Sequence, residues 1–125
     1  MSKHLLSSLC AAALVAFAAM PAAAEPAPKM SGGHFVDSSG RTLYTFDRDA
    51  PGSGKSACNG QCAELWPPAK ADADAKAEGD LTLVTRDDGS KQWAYKGKPV
   101  YTYAKDSKPG ETTGDNFRDV WHVAK

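Results

Sequence analysis

A ten-residue segment occurs twice in the chain, and this repeat constrains the fold more than any other feature. Residues 40–49 and 97–106 both read glycine, basic, small, aliphatic, Tyr-Thr-aromatic, two further residues and Asp. Internal repetition indicates that one supersecondary unit is used twice. The alternating side chains before each Asp are typical of a β-strand. The sequence therefore predicts two similar β units, each marked by the same three residues: Tyr44, Phe46 and Asp49 in the first, and Tyr101, Tyr103 and Asp106 in the second.

The first 24 residues have the pattern of a secretory signal peptide. Lys3 and His4 precede an apolar run over residues 5–20, and the run ends in Ala-Ala-Ala before Glu25. A short basic start, an apolar core and small residues at the end are the three parts of such a signal. The run is shorter than the ~20 residues that a membrane-spanning helix needs. We therefore predict cleavage after Ala24 and a periplasmic or secreted protein.

The residues before Cys10 do not match the pattern of a lipid-attachment site. Such a site has a small residue directly before the cysteine and an aliphatic residue three places before it. Here Leu9 and Ser7 occupy those places, which inverts the pattern. No lipid anchor is expected.

Length and charge narrow the class of protein further. Without the signal about 100 residues remain, which is enough for one small domain. The chain has 15 basic and 15 acidic residues, a balance that argues against nucleic acid or an anionic membrane as a partner, since both require a basic face. Hydrolase signatures and phosphate-binding glycine loops are absent. We expect a non-enzymatic protein without a cofactor. The sequence does not identify a binding partner.

The hydrophobic pattern predicts an all-β, mainly antiparallel domain. His34–Asp37 and Arg41–Phe46 read as a hairpin across Ser-Ser-Gly. Residues 81–86, 91–95 and 98–103 read as a three-stranded meander, and residues 117–123 as a last strand. The predicted boundaries are a flexible leader over 25–33, repeat one over 34–68, a linker over 69–79 and repeat two over 80–125.

Cys58 and Cys62 are the cysteines left after signal removal, and an even count in an exported chain predicts a disulfide. The alternative is a thiol–disulfide enzyme, although the three intervening residues differ from the usual Cys-x-x-Cys. Residues 62–66 are expected to form one helical turn, which two prolines end. Trp66 and its counterpart Trp121, each in an acid-aliphatic-Trp triplet, are predicted to dock their segments on the sheet.

The motif residues allow two interpretations each. The aromatic residues form a compact core, or they form a platform for a flat or carbohydrate-like ligand. Asp49 and Asp106 cap loops through backbone N–H groups, or they bind a cation. His34 and His122 lie near the two ends of the domain, and if their strands pair the two rings could share copper or zinc.

These residues carry a resemblance to a known family. Tyr44 to Asp49 and Tyr101 to Asp106 both match the motif Tyr-x-[Phe/Trp/Tyr]-x-x-Asp, and residues 58–68 read Cys-Asn-Gly-Gln-Cys-Ala-Glu-Leu-Trp-Pro-Pro. Both features are similar to the bacterial secreted repeat of unknown function, a predicted lipoprotein family. The resemblance covers nearly all the mature chain and implies an envelope protein of small β repeats with no established activity. The expected role is binding, of a small ligand or as an accessory protein of the envelope.

Overall fold

A computed structural model of the chain describes residues 26–125. The predicted signal peptide, its cleavage site and Cys10 lie outside the described residues. The elements are strands β1 (Lys29–Ser31), β2 (His34–Val36), β3 (Tyr44–Phe46), β4 (Lys70–Ala71), β5 (Leu81–Thr85), β6 (Lys91–Tyr95), β7 (Lys98–Tyr101) and β8 (Trp121–Val123), helix α1 (Gln61–Leu65) and a 3-10 turn (Phe117–Asp119). In this part of the chain no helix has the length and apolar character needed to cross a membrane.

The strands form antiparallel sheets, which confirms the predicted fold class. β1 pairs with β2 in a two-stranded sheet. The larger sheet has the order β4-β6-β7-β3-β8, and β5 pairs with β6 outside this path. β3 lies between β7 and β8, so the strand that carries the first motif is flanked by two strands of the second half. This placement joins the two halves of the chain in one sheet.

The predicted meander of the second half is present as β5, β6 and β7. All five residues of β5 pair with β6, from Leu81 with Tyr95 to Thr85 with Lys91. The turn between β6 and β7 has positive φ at both central residues, Lys96 (φ 50°) and Gly97 (φ 80°). Two successive positive φ angles match the twist of the flanking strands, which makes this the favoured two-residue hairpin turn.

The first half differs from the sequence prediction at its start. Residues 25–33 were expected to be a flexible leader, whereas Lys29–Ser31 form β1 and pair with β2. The physical reason is the pair Gly32 and Gly33, which adopt positive φ angles (62° and 90°) and form the hairpin turn between β1 and β2. The expected hairpin of residues 34–37 with residues 41–46 is present as a bridge between Val36 and Thr42 and two backbone hydrogen bonds, from Asp37 N to Arg41 O and from Leu43 N to Phe35 O.

Part of the expected linker over 69–79 is also a strand. β4 pairs with β6. Just before β4, Ala69 N donates to Val100 O, and Ala69 O accepts from Trp93 N. β6 and β7 pair only at their shared turn, and the segment around Ala69 fills the gap where they separate. At the other end, the strand expected over 117–123 is a 3-10 turn followed by the shorter β8.

Two clusters of buried side chains form the core. One is centred on Leu43, Trp93 and Val100 and lies between the hairpins. The other holds the motif aromatics and the two docking tryptophans, and its buried members are Tyr44, Cys58, Trp66, Tyr101, Tyr103, Trp121 and Val123. This second cluster positions the candidate site.

Candidate functional site

The two motifs exchange hydrogen bonds across the sheet. The hydroxyl of Tyr44 donates to Asp106 Oδ2 at 2.7 Å, and the hydroxyl of Tyr101 donates to Asp49 Oδ2 at 2.5 Å. Tyr44 and Tyr101 are themselves direct partners on β3 and β7. Each motif therefore supplies a tyrosine to the aspartate of the other motif and receives one in return.

The same two carboxylates tie down loops. Asp49 Oδ1 accepts the backbone N–H of Ala57 at 2.6 Å. Asp106 Oδ1 accepts the backbone N–H of Thr113 at 3.0 Å and also the Thr113 hydroxyl. Both aspartates are buried, with 4% and 2% exposure. Because a buried carboxylate without donors would be costly, these bonds hold each loop against its strand.

Burial shifts the acid–base behaviour of the motif. It raises the pKa of Tyr44 well above its ordinary value, and the hydrogen bond to Asp106 raises it further. Burial likewise raises the pKa of Tyr101, and the hydrogen bond to Asp49 adds to the shift. The pKa of Asp49 is raised because the carboxyl is buried, although the bonds from Tyr101 and Ala57 and the nearby Arg86 oppose this. Both tyrosines are thus neutral donors in the folded protein.

Four aromatic rings form one continuous stack. Phe46 stacks on Trp121 with centroids 4.2 Å apart, and Trp66 stacks on Tyr103 at 4.2 Å. Trp121 and Trp66 stack on each other at 3.9 Å. The motif aromatic of each half therefore packs on the tryptophan of the other half. Stacked aromatic pairs contribute to stability beyond the area they bury, so this stack is a main element of the core.

The stack changes from buried to partly exposed along its length. Trp66, Trp121 and Tyr103 are buried, whereas Phe46 is half-buried. Tyr44 and Tyr101 are fully buried and pack edge-on against Trp66 and Trp121. Most of the predicted aromatic set is therefore core, and Phe46 is the motif ring that reaches the surface.

Cys58 and Cys62 form a disulfide around the start of α1. Cys58 is fully buried, and its carbonyl accepts a hydrogen bond from Arg86 Nη2 at 2.7 Å. Arg86 is also buried and donates through Nη1 to Ser56 Oγ and to Gln92 Oε1. A guanidinium with several donors in a fixed plane can hold a loop in one geometry, so Arg86 and the disulfide together fix the loop that leads into α1.

The two histidines have separate partners. His34 Nε2 lies 3.3 Å from Thr42 Oγ1. His122 Nε2 lies 2.8 Å from Asp47 Oδ2, and its Nδ1 lies 3.2 Å from Asn116 Oδ1. Over residues 26–125 no group of three or more His, Cys, Asp or Glu side chains is arranged to hold a metal ion.

A cleft of about 350 Å³ opens along the edge of the aromatic stack. Both halves of the chain contribute to it, β3 and α1 from the first half and the 3-10 turn and β8 from the second. Its lining residues are Phe46, Arg48, Gln61, Cys62, Leu65, Trp66, Phe117, Arg118, Val120 and Trp121. Its volume falls in the range of small-molecule sites, ~300–1,000 Å³.

The sequence profile of the family described as "secreted repeat of unknown function" matches residues 29–70 and 82–125. The two matched segments together span well over half of the chain. The chain belongs to this family. Neither the comparison with curated proteins nor the comparison with solved structures gave a match.

The matched segments show what one secreted repeat contains. The first begins at Lys29, the start of β1, and ends in β4, so it includes both short strands that the sequence placed outside repeat one. Each secreted repeat thus consists of three strands, a helical turn with its tryptophan, and a closing strand. The repeats differ at the helical turn, since only the first contains the disulfide.

Sequence reasoning missed the arginines and the strained turn of the cleft. Arg48 is part of the first motif, but nothing in the sequence brings it near Arg118. Asn116, Arg118 and Asp119 adopt positive φ angles of 60°, 50° and 61° without being glycine. Asn and Asp tolerate this conformation, so the sequence Asp-Asn before the turn weakly indicates a positive φ angle. No feature of the sequence indicates the positive φ angle at Arg118.

Proposed function

We propose that the protein is a non-enzymatic, exported binding protein that holds a small ligand in the cleft along the aromatic stack. The observation that carries the proposal is the lining of the cleft. Phe46, Trp66 and Trp121 contribute rings that the core already holds in place, and Phe117 adds a fourth. Rigid aromatic surface binds with little loss of side-chain freedom, which favours affinity.

Export forms part of the same proposal. The signal-peptide pattern over residues 1–24 and the family description as a secreted repeat support it. Expression of the full chain in a bacterial host, followed by mass spectrometry of the protein from the periplasm and the medium, tests it. We expect a mature chain that begins at Glu25. A chain that keeps its first 24 residues, or that carries a lipid, would contradict this prediction.

Tryptophan fluorescence tests ligand binding directly. The protein has three tryptophans, and Trp93 lies in the other core cluster. In a Trp93→Phe background the emission comes from Trp66 and Trp121, which both line the cleft. We expect at least one compound from a panel of indole, naphthoate, naphthamide and maltose to change this emission saturably.

A pair of bulk-adding variants locates the binding. Gln61 lies on α1 and lines the cleft, so Gln61→Phe fills it without adding a fluorophore. Lys55→Phe adds a similar ring to an exposed position that does not line the cleft. We expect Gln61→Phe to abolish the response and Lys55→Phe to keep it. Binding that survives in Gln61→Phe, no saturable response to any compound, or chemical conversion of a bound compound would each refute the proposed function.

A further inference from the structure

We infer that the ligand of the cleft is a planar aromatic anion, specifically an aromatic carboxylate. This inference rests on the proposed binding function and adds the chemical class of the ligand. Two properties of the lining carry it. Four of the ten lining residues are aromatic, and the charged side chains among them are two arginines without any acidic residue.

The aromatic walls favour a flat conjugated ligand over an aliphatic one. Three of the four stacked rings, Phe46, Trp121 and Trp66, line the cleft together with Phe117. Phe46 stacks on Trp121 on one side and is half-buried, so it is the ring at the surface end of the stack. Aromatic pairs in offset or edge-to-face arrangements contribute ~0.5–1.5 kcal/mol beyond the area that they bury.

The two arginines are available for an anion. Within residues 26–125 the only ion pair joins His122 to Asp47, so neither Arg48 nor Arg118 has a carboxylate partner within 4.0 Å. The acids that flank Arg48 in sequence are engaged elsewhere, Asp47 with His122 and Asp49 with Tyr101. A guanidinium binds a carboxylate through two parallel hydrogen bonds, and this geometry is the basis for choosing a carboxylate.

The backbone holds Arg118 in an unusual conformation at the cleft. Its φ is 50°, and its guanidinium lies 5.5 Å from the centroid of the Phe117 ring. Non-glycine residues with positive φ are uncommon, and they cluster at ligand sites. Asn116 and Asp119 share the conformation, and the Asn116 side chain bonds to His122 on β8. The strained turn thus places Arg118 and an aromatic ring side by side.

A second cationic cleft supplies the matched control. It has a volume of about 270 Å³, and its lining includes three lysines, the paired residues Asp47 and His122, and Tyr95 as its single large aromatic ring. The lysines are Lys96, Lys98 and Lys125. Its charge resembles that of the first cleft, whereas its walls do not. Replacing two lysines there changes the net charge of the protein as much as replacing the two arginines.

Three probes separate the contributions of charge and ring. Naphthoate is flat and anionic, naphthamide is flat and neutral, and cyclohexanecarboxylate is anionic without an aromatic ring. Titration of the mature protein, followed by tryptophan fluorescence and calorimetry, should show naphthoate binding at least tenfold more tightly than either other probe. Arg48→Gln and Arg118→Gln should each weaken naphthoate binding roughly tenfold, as expected for loss of a charge-assisted hydrogen bond, and leave naphthamide binding unchanged.

The outcomes distinguish this inference from the proposed function. Lys96→Gln combined with Lys98→Gln should leave naphthoate binding unchanged, and circular dichroism should show that all variants fold. Equal binding of naphthoate and naphthamide, insensitive to both arginine variants, would overturn the anionic ligand while the binding function stands. Tight binding of cyclohexanecarboxylate would overturn the aromatic requirement. Absence of binding by all three probes up to about 1 mM would overturn the aromatic carboxylate, and the binding function would fall with it if indole and maltose also gave no response.

Discussion

Trp66 and Trp121 lie face to face, with ring centroids 3.9 Å apart and planes inclined by 4°. They occupy similar places in the two secreted repeats, since Trp66 lies shortly before the closing strand β4 and Trp121 is the first residue of the closing strand β8. Phe46 extends the stack on one side and Tyr103 on the other, and each belongs to the repeat opposite to the tryptophan that it contacts. The hydrophobic centre of the protein is therefore the interface between its repeats.

We predict that neither repeat folds alone. A fragment of residues 26–76 would expose Trp66 and leave Asp49 without Tyr101, and a fragment of residues 77–125 would leave Asp106 without Tyr44. Each fragment should lack near-ultraviolet circular dichroism, and an equimolar mixture should recover it. In the intact chain Trp121→Ala should lower the free energy of unfolding by ~3–5 kcal/mol in one cooperative transition. A fragment with native-like tryptophan signals by itself would contradict this prediction.

Double-mutant cycles should show that the motif residues couple between repeats and not within them. Tyr44→Phe removes the donor to a buried carboxylate and should cost ~1–3 kcal/mol. Urea denaturation of the single and double variants gives the coupling energy. The pair Tyr44→Phe and Asp106→Asn should show coupling of ~1 kcal/mol, whereas Tyr44→Phe and Asp49→Asn should be nearly additive. Tyr95→Phe, in the other cluster, is the control. Stronger coupling between residues 44 and 49 would show that the Tyr–Asp hydrogen bonds between the repeats are absent in solution.

Stability should fall at alkaline pH because of the buried tyrosines. The folded-state pKa of Tyr44 and of Tyr101 is raised above the unfolded value of ~10. The unfolded chain therefore releases these protons first, and the contribution to stability, complete below about pH 10, is lost as the pH rises further. Each tyrosine adds a slope of up to ~1.4 kcal/mol per pH unit. Urea denaturation from about pH 8 to pH 11 should show a shallower decline in Tyr44→Phe and Tyr101→Phe than in wild type. Equal slopes in all three proteins would exclude the buried tyrosines as the cause.

Gly114→Ala should destabilise the aromatic stack through steric overlap. A Cβ at Gly114 would lie 2.7 Å from Trp66 Cη2 and 3.0 Å from Tyr103 Cδ2. Overpacking of this kind costs ~1–3 kcal/mol, and it should also change the near-ultraviolet circular dichroism of the tryptophans. Gly54→Ala is the control, since a Cβ at Gly54 meets no atom within 4 Å and the change alters only backbone strain at a φ of 72°. A Gly114→Ala variant as stable as wild type, with an unchanged spectrum, would show that the ring packing is looser than described.

The sequence predicted the parts of the fold that depend on local pattern. The repeat, the meander, the helical turn and the cysteine pair can be read from neighbouring residues, and the structure contains each of them. β1 and β4 were missed because Lys29–Ser31 and Lys70–Ala71 are short and lack alternation, so only their pairing with β2 and β6 identifies them. The hydrogen bonds of Tyr44 and Tyr101 to the aspartate of the opposite repeat depend on which strands are neighbours. No local sequence pattern specifies this.

The cleft was beyond sequence reasoning for a related reason. Arg48 and Arg118 are 70 positions apart in the chain, and they line one cleft only because β3 and β8 are adjacent. The buried Arg86 was missed as well, because arginine is rarely buried and its partners Ser56 and Gln92 lie on different segments. Long-range contacts of polar side chains thus account for most of what the sequence left out.

The crossed Tyr–Asp bonds also affect how such a duplicated protein can change during evolution. A substitution at Tyr44 removes the partner of Asp106, so the compensating change has to occur in the other copy of the repeat. The two copies cannot diverge independently at these positions, and the residues expected to vary together are Tyr44 with Asp106 and Tyr101 with Asp49. At these positions each repeat therefore depends on the sequence of the other, and neither can lose its motif residues without destabilising its partner.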